Sequence, residues 1–195
     1  MTWLWTAIEL GAVLFTLVNV WLAVKENMWT WPTGIVAVLL TFVLYLHQLI
    51  YLNAWLQIVY FVLSIHGWYE WLHGGVNKTE RRISYASGRT WLVTMPAGLL
   101  LTAALFYLER RFAPAGSLPF WDALTTAFSI VGQYMLNMKI IENWIIWAIV
   151  DVMYVFMLID QHLYYLAALN AFLFILCIKG FIDWRRTERS HASAS

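Results

Sequence analysis

The chain has 195 residues, 62% of them hydrophobic and 12% charged, with a formal net charge of +1 at neutral pH. A soluble domain carries roughly 25% charged residues, so this composition excludes an ordinary globular protein and leaves a membrane one. The total charge decides nothing, but its placement along the chain does.

A hydrocarbon core about 30 Å thick takes about 20 apolar residues per helical crossing. Charged and turn-forming clusters cut the sequence into seven such pieces, at 3–24, 29–49, 52–72, 90–108, 119–138, 142–160 and 162–182. The first opens with "MTWLWTAIELG", which lacks the basic leader and small-residue cleavage site of a signal peptide. That helix is expected to stay.

The third span carries a stripe of Asn53, Gln57, Tyr60, Ser64, Gly67 and Trp71 at steps of three and four, the spacing of one helix face. The fourth, "TWLVTMPAGLLLTAALFYL", has few polar groups beyond its threonines and reads as a linker facing lipid. On the fifth span Asp122, Thr126, Ser129, Gln133 and Asn137 share a face, and on the sixth Asn143, Trp147, Asp151 and Tyr154 do so. The seventh has Asn170 near its middle. Polar groups cost a few kcal/mol each in hydrocarbon, so such stripes turn towards partners, water or a ligand. Interhelical hydrogen bonding is the plainer explanation for Ser64, Thr126 and Ser129.

The sequence also matches itself. At an offset of 113, Glu9 falls on Asp122, Phe15 on Phe128, Ala54 on Ala167, Gln57 on Asn170, Gly67 on Gly180 and Trp71 on Trp184. A three-residue difference in loop length shifts the register to 116, where Glu26-Asn27 meets Glu142-Asn143 and Trp31 meets Trp147. The expected division is therefore a three-helix repeat at 1–74, a cytoplasmic loop plus linker helix at 75–116, a second three-helix repeat at 117–186 and a disordered tail at 187–195. One extra crossing makes the repeats parallel, and parallel repeats in transporters hold substrate between them.

Seven crossings place Arg110 and Arg111 on one side and the other ten Lys and Arg residues on the opposite one. Basic residues are retained in the cytoplasm. The N-terminus is accordingly expected outside and the C-terminus inside.

Tryptophan collects at membrane interfaces, and Trp3, Trp5, Trp55, Trp91 and Trp121 near span ends fit that belt. Trp147 lies about two turns into its span on the face of Asp151. An inward indole beside a carboxylate suits a flat cationic ring, through stacking and cation–π attraction of about 2 kcal/mol once desolvated.

Other chemistries find no support. Cys177 is the single cysteine, which excludes an internal disulfide and a cysteine metal cluster, and the five histidines show no metal-ligand spacing. A phosphate-binding GxxxxGK[ST] stretch is absent. A retinal receptor needs a Schiff-base lysine deep in a helix, and Lys179 lies about one turn from a helix end. His66 and Glu70 could pair on one helix face, but no nucleophile accompanies them.

With these residues in view, "LYLHQLIYLNAWLQIVYFVLSIHGWYEW" resembles the LY-x-LQ-x-YGWY-W stretch of the PnuC vitamin transporters. "PFWDALTTAFSIVGQYMLNMKIIENWIIWAIVDVMYV" is similar to their PFWD and ENWxxW segments. The resemblance covers essentially the whole chain. It implies an all-α membrane protein of the SWEET-like type, with three, one and three transmembrane helices, in a bacterial inner membrane. It further implies facilitated diffusion of a vitamin, trapped by a cytoplasmic kinase, with no cofactor and no nucleic acid, and it is compatible with a homo-oligomer such as a trimer. The substrate-binding candidates are Gln57, Tyr60, Asn143, Trp144, Trp147, Asp151, Tyr154 and Asn170. Nicotinamide riboside is the expected cargo. The alternatives are thiamine or riboflavin, a proton-coupled carrier, or, from a different class, a seven-helix membrane receptor.

Overall fold

The computed structural model describes residues 2–112 and 119–192. Seven long helices run through them: α1 Thr2–Val24, α2 Thr30–His47, α3 Tyr51–His73, α4 Gly88–Phe112, α5 Pro119–Asn137, α6 Asn143–Asp160 and α7 Tyr164–Ala192. Five of these, α1, α2, α4, α6 and α7, are long and apolar enough to cross a membrane by length and composition. The two below that threshold are α3 and α5, the helices richest in the polar stripes. A polar face lowers a helix's mean hydropathy without shortening it.

The helices separate at residues that take the left-handed conformation. After α1, Glu26 has φ 55°, the Glu26 N–H bonds the Ala23 carbonyl at 3.0 Å and the Asn27 N–H reaches Leu22 at 2.9 Å. This double closure satisfies carbonyls that a helix end would otherwise orphan. The same closure follows α5: Lys139 has φ 48°, bonds Leu136 at 2.9 Å, and Ile140 reaches Met135 at 2.9 Å. Leu49 and His162, both at φ 61°, close α2 and α6 alike. Each pair is 113 residues apart, as are the starts of α2 and α6, and of α3 and α7. The offset is thus uniform, and the expected shift to 116 is corrected. Glu26-Asn27 occupies the place of Lys139-Ile140, so its likeness to Glu142-Asn143 is one of letters only. Trp31 corresponds to Trp144, and the counterpart of Trp147 is Gly34.

Two compact units result, Met1–Arg82 and Ile83–Ser195. In the first, α2 packs against both α1 and α3. Thr30 Oγ1 donates to Asn19 Oδ1 at 2.6 Å across the α1–α2 contact, and Trp31 meets Trp71 edge-on, with ring centroids 5.2 Å apart. Arg81 folds back on α3, its Nη2 and Nε donating to Glu70 Oε2 at 2.5 and 3.1 Å. That carboxylate is the arginine's partner, while His66 Nε2 stands 3.9 Å from its other oxygen.

In the second unit α6 packs against α5 and α7, and α4 lies along α5. Gly98 of α4 is where the helices meet, since a Cβ there would come within 3.2 Å of Val131 Cγ2. The opposite surface of α4 exposes Leu92, Val93, Leu99 and Leu100, as a lipid-facing helix would. So α4 belongs to the packing of the second unit and also keeps an oily face.

The segment before α4 is strapped to the α5–α6 turn. The Ser84 N–H donates to the Lys139 carbonyl and the Ile141 N–H to the Ser84 carbonyl, both at 3.0 Å, while the Ala86 N–H donates to Glu142 Oε2 at 2.8 Å. Glu142→Ala should lower stability by about 2 kcal/mol, the cost of leaving an amide without its charged acceptor. Thermal unfolding in detergent and faster amide exchange at 84–87 measure it.

Of the expected interfacial tryptophans, Trp3, Trp55 and Trp121 are exposed. Trp5 instead stacks on His47 at 3.6 Å, and Trp91 packs against the Val131, Met135, Ile140 and Ile146 cluster. Helix α7 continues to Ala192, so a disordered tail from 187 is corrected as far as that residue; 193–195 lie outside the described residues. Ion pairing of Lys179 with Asp183 at 3.0 Å and a Thr187 hydroxyl bond to the Asp183 carbonyl support the extension. The expected boundary at 116–117 also falls outside the described residues.

Candidate functional site

Asn143, Trp147, Asp151 and Tyr154 fall within one arc of α6, because about 100° separates successive residues of a helix. That arc faces the two neighbours α5 and α7 rather than lipid. Ile145, Ile149, Val152 and Phe156, on the far side, are exposed.

The arc is divided between its neighbours. Trp147, half-buried, lies against α5 at Gly132, where a Cβ would come within 3.1 Å of its Nε1 and 3.2 Å of its Cε2. Asp151 is 5% exposed and turns to α7, where Cys177 Sγ donates to its Oδ2 at 3.4 Å. Asn143 is wholly buried, and its Nδ2 donates to the Ile140 carbonyl at 2.6 Å, while its Oδ1 has no hydrogen-bond partner. Tyr154 is half-buried one turn beyond Asp151.

Trp144 stands apart from these. Its ring meets Trp184 edge-on, with centroids 5.4 Å apart at 88°, and it covers Gly180 so closely that a Cβ would fall 2.5 Å from two ring carbons. This is the counterpart of Trp31 on Trp71, at 5.2 Å and 89°. The geometry makes Trp144 the α6–α7 packing anchor. Its indole Nε1 is nonetheless buried without a partner, as is that of Trp31.

Asn170 lies on α7, its Nδ2 donating to the Leu166 carbonyl one turn back at 2.9 Å. In the first unit, Gln57 and Tyr60 are half-buried on α3, and the Tyr60 carbonyl accepts the Ser64 hydroxyl at 2.8 Å. Ser64 and Ser129 both bond to their own helices, at 2.8 and 2.7 Å, which accounts for their place in the stripes without a ligand. Six of the eight candidates thus sit on α6 and α7 of one unit.

Sequence reasoning did not place the neighbours that hold these side chains: Gly132 under Trp147, Gly180 under Trp144, and Cys177 against Asp151. Glycines recurring at helix crossings were the available signal. Beside Trp144 and Cys177 a cavity of about 360 Å³ opens between α6 and α7, with walls that include Ile149, Val152, Phe174 and Phe181. Those apolar walls offer no hydrogen bond to a polar ligand, unlike the side chains of the Asn143–Tyr154 arc. The half-buried indole can stack on a flat ring and the carboxylate one turn on can balance its charge, while the buried Asn143 Oδ1 is an acceptor without a partner.

Residues 6–186 match the family model described as Nicotinamide mononucleotide transporter. The nicotinamide riboside transporter PnuC of Escherichia coli (strain K12) is 23% identical over 210 residues, covering 95% of this chain and 88% of the relative. The riboflavin/roseoflavin transporter RibM of Streptomyces davaonensis is 25% identical over 138 residues, 69% of this chain and 64% of the relative. Among solved structures, the crystal structure of the vitamin B3 transporter PnuC superposes with a TM-score of 0.75 at 18% identity, covering 95% of this chain and 83% of that one. These relatives are membrane transporters and none is an enzyme. Because the matched region takes in all seven helices, this chain belongs to the nicotinamide mononucleotide transporter family.

Proposed function

We propose that the chain carries nicotinamide riboside across the bacterial inner membrane by facilitated diffusion with alternating access. The observation that carries the reading is the meeting on one arc of α6 of a half-buried indole, Trp147, and a buried carboxylate, Asp151, one turn apart. Nicotinamide riboside pairs a positively charged aromatic ring with hydroxyl groups, so the indole stacks on the ring and the carboxylate balances its charge. Asn143, Tyr154 and Asn170 complete the polar contacts on the second unit, and Gln57 and Tyr60 on α3 are the polar candidates of the first. Trp144 holds α6 against α7 and acts on the cargo through that packing.

All seven helices cross the membrane, as two like-oriented triplets of the SWEET type with α4 between them in sequence. The uniform 113-residue recurrence of turns and buried aromatic pairs supports the repeat. The ten-to-two distribution of basic residues supports an external N-terminus and a cytoplasmic C-terminus. A reporter fused after Ser195 should therefore behave as cytoplasmic, and an external signal would reverse the topology. Transport is uncoupled and a cytoplasmic kinase traps the cargo. Vitamin should equilibrate into proteoliposomes without an ion gradient, and accumulation driven by a pH gradient would replace uniport with proton coupling. A homotrimer is the proposed assembly, read from the mass of the purified protein in detergent.

Riboflavin is the second reading, favoured by the likeness to RibM. Its ring is neutral and gains nothing from Asp151. Thiamine, another cationic aromatic vitamin, fits the indole and carboxylate equally. Calorimetry of the purified protein against nicotinamide riboside, thiamine and riboflavin decides among them. Saturable binding of riboflavin alone would overturn the cationic-ring reading.

A further inference from the structure

In both units the first two helices of the triplet cross where one of them supplies a glycine. At the α1–α2 crossing the glycine is Gly34 on α2, and the side chain laid over it is Asn19 of α1, whose Oδ1 would stand 3.1 Å from a Cβ on Gly34. At the α5–α6 crossing the glycine is Gly132 on α5, and the side chain over it is Trp147 of α6, whose Nε1 would stand 3.1 Å from a Cβ on Gly132. Asn19 and Gly132 are 113 residues apart, and so are Gly34 and Trp147. The crossing is equivalent, and the glycine has changed sides.

The exchange has a packing cause. Small residues let two helices approach closely, and at each of these two glycines the slot left by the missing Cβ is filled by one side chain of the facing helix. In the first unit the slot holds a short amide that also accepts the Thr30 hydroxyl at 2.6 Å. In the second it holds the pyrrole edge of an indole. Trp147 is half-buried, which leaves part of its ring uncovered by α5 and α7.

We propose that Gly132 is a positioning residue for Trp147, setting how deep the indole sits and hence where its free face meets the cargo ring. The inference rests on the reading above that Trp147 contacts the vitamin. A Cβ at 3.1 Å is tighter than ordinary contact by a few tenths of an ångström, so Gly132→Ala displaces the indole without evicting it, and Gly132→Val evicts it. Stacking depends on ring offset and separation, so the displacement is read as lost affinity.

The test is a double-mutant cycle on the full-length protein, with Gly132→Ala and Gly132→Val each made in the wild-type and Trp147→Phe backgrounds. Phenylalanine lacks the pyrrole edge that lies on Gly132. In the wild-type background, Gly132→Ala should weaken nicotinamide riboside binding about tenfold and Gly132→Val further, a coupling typical of touching residues. In the Trp147→Phe background Gly132→Ala should change affinity less than about twofold, and the same non-additivity should appear in the thermal midpoint. Equal losses of affinity in both backgrounds, or none in either, would overturn the proposal. Should Trp147→Ala itself leave affinity unchanged, the binding role of Trp147 fails; a coupled midpoint would then confine Gly132 to packing and reject it as a positioning residue.

Discussion

Trp147→Ala is expected to weaken nicotinamide riboside binding by about 30-fold or more, the equivalent of the roughly 2 kcal/mol that a desolvated cation–π contact contributes. Folding should survive, because the half-buried ring leaves a glycine beneath it and no buried polar group unpaired. Calorimetric titration reads the loss, and a single cooperative melting transition, at a lowered midpoint, confirms that the fold persists. Gln57→Ala is expected to cost about tenfold, one hydrogen bond to a polar group of the cargo. If Trp147→Ala binds as tightly as the parent, the arc of α6 is not the site, and an unchanged Gln57→Ala removes Gln57 from the cargo contacts. The Trp147→Ala effect should be larger for cationic nicotinamide riboside than for a neutral aromatic compound. A ring held only by stacking would not make that distinction.

Trp71→Ala and Trp184→Ala should each destabilise the protein by about 3 kcal/mol, read as a fall in thermal midpoint in detergent. Both rings are almost wholly buried, and each is the edge-on partner of an equivalent tryptophan. Hydrocarbon outside the protein is as apolar as the core, so transfer from lipid contributes little. The loss falls on dispersion contacts and the cavity left behind. Trp184→Ala has a second consequence that Trp71→Ala lacks: it frees Trp144 at the first turn of α6, the helix that also carries Asp151. It should therefore weaken vitamin binding as well as stability. Were Trp184→Ala to lower stability by less than about 1 kcal/mol, the aromatic pair would not anchor the unit.

Much of the architecture can be read directly from residue order. Seven apolar segments, the offset of 113 and the stripes on α3, α5 and α6 follow from the cost of burying polar groups in oil and from the period of the helix. The error in register at 26–27 and 142–143 has a plain cause. Matching letters favoured an alignment of Glu-Asn with Glu-Asn, whereas the backbone is aligned by its left-handed turn residues, Glu26 and Lys139, which share no side-chain chemistry. The exchange of glycine between Asn19–Gly34 and Gly132–Trp147 was hidden for the same reason: neither position matches its counterpart in type.

The division of labour among the ring-bearing residues needed three dimensions. Trp144 and Trp147 are three apart in one motif and look alike in sequence, yet one is sealed on Gly180 and Trp184 while the other rests on Gly132 with part of its ring free. The binding of Cys177 to Asp151 joins residues 26 apart, and the strap from Ser84 to Ile141 joins segments further apart still. Sequence by itself determined the helices, the 113-residue recurrence of their turns and which polar groups share a helix face, because solvent and helical period act on each segment locally. Tertiary structure alone decided which aromatic packs and which stays available, because that depends on where a neighbouring helix happens to lack a Cβ.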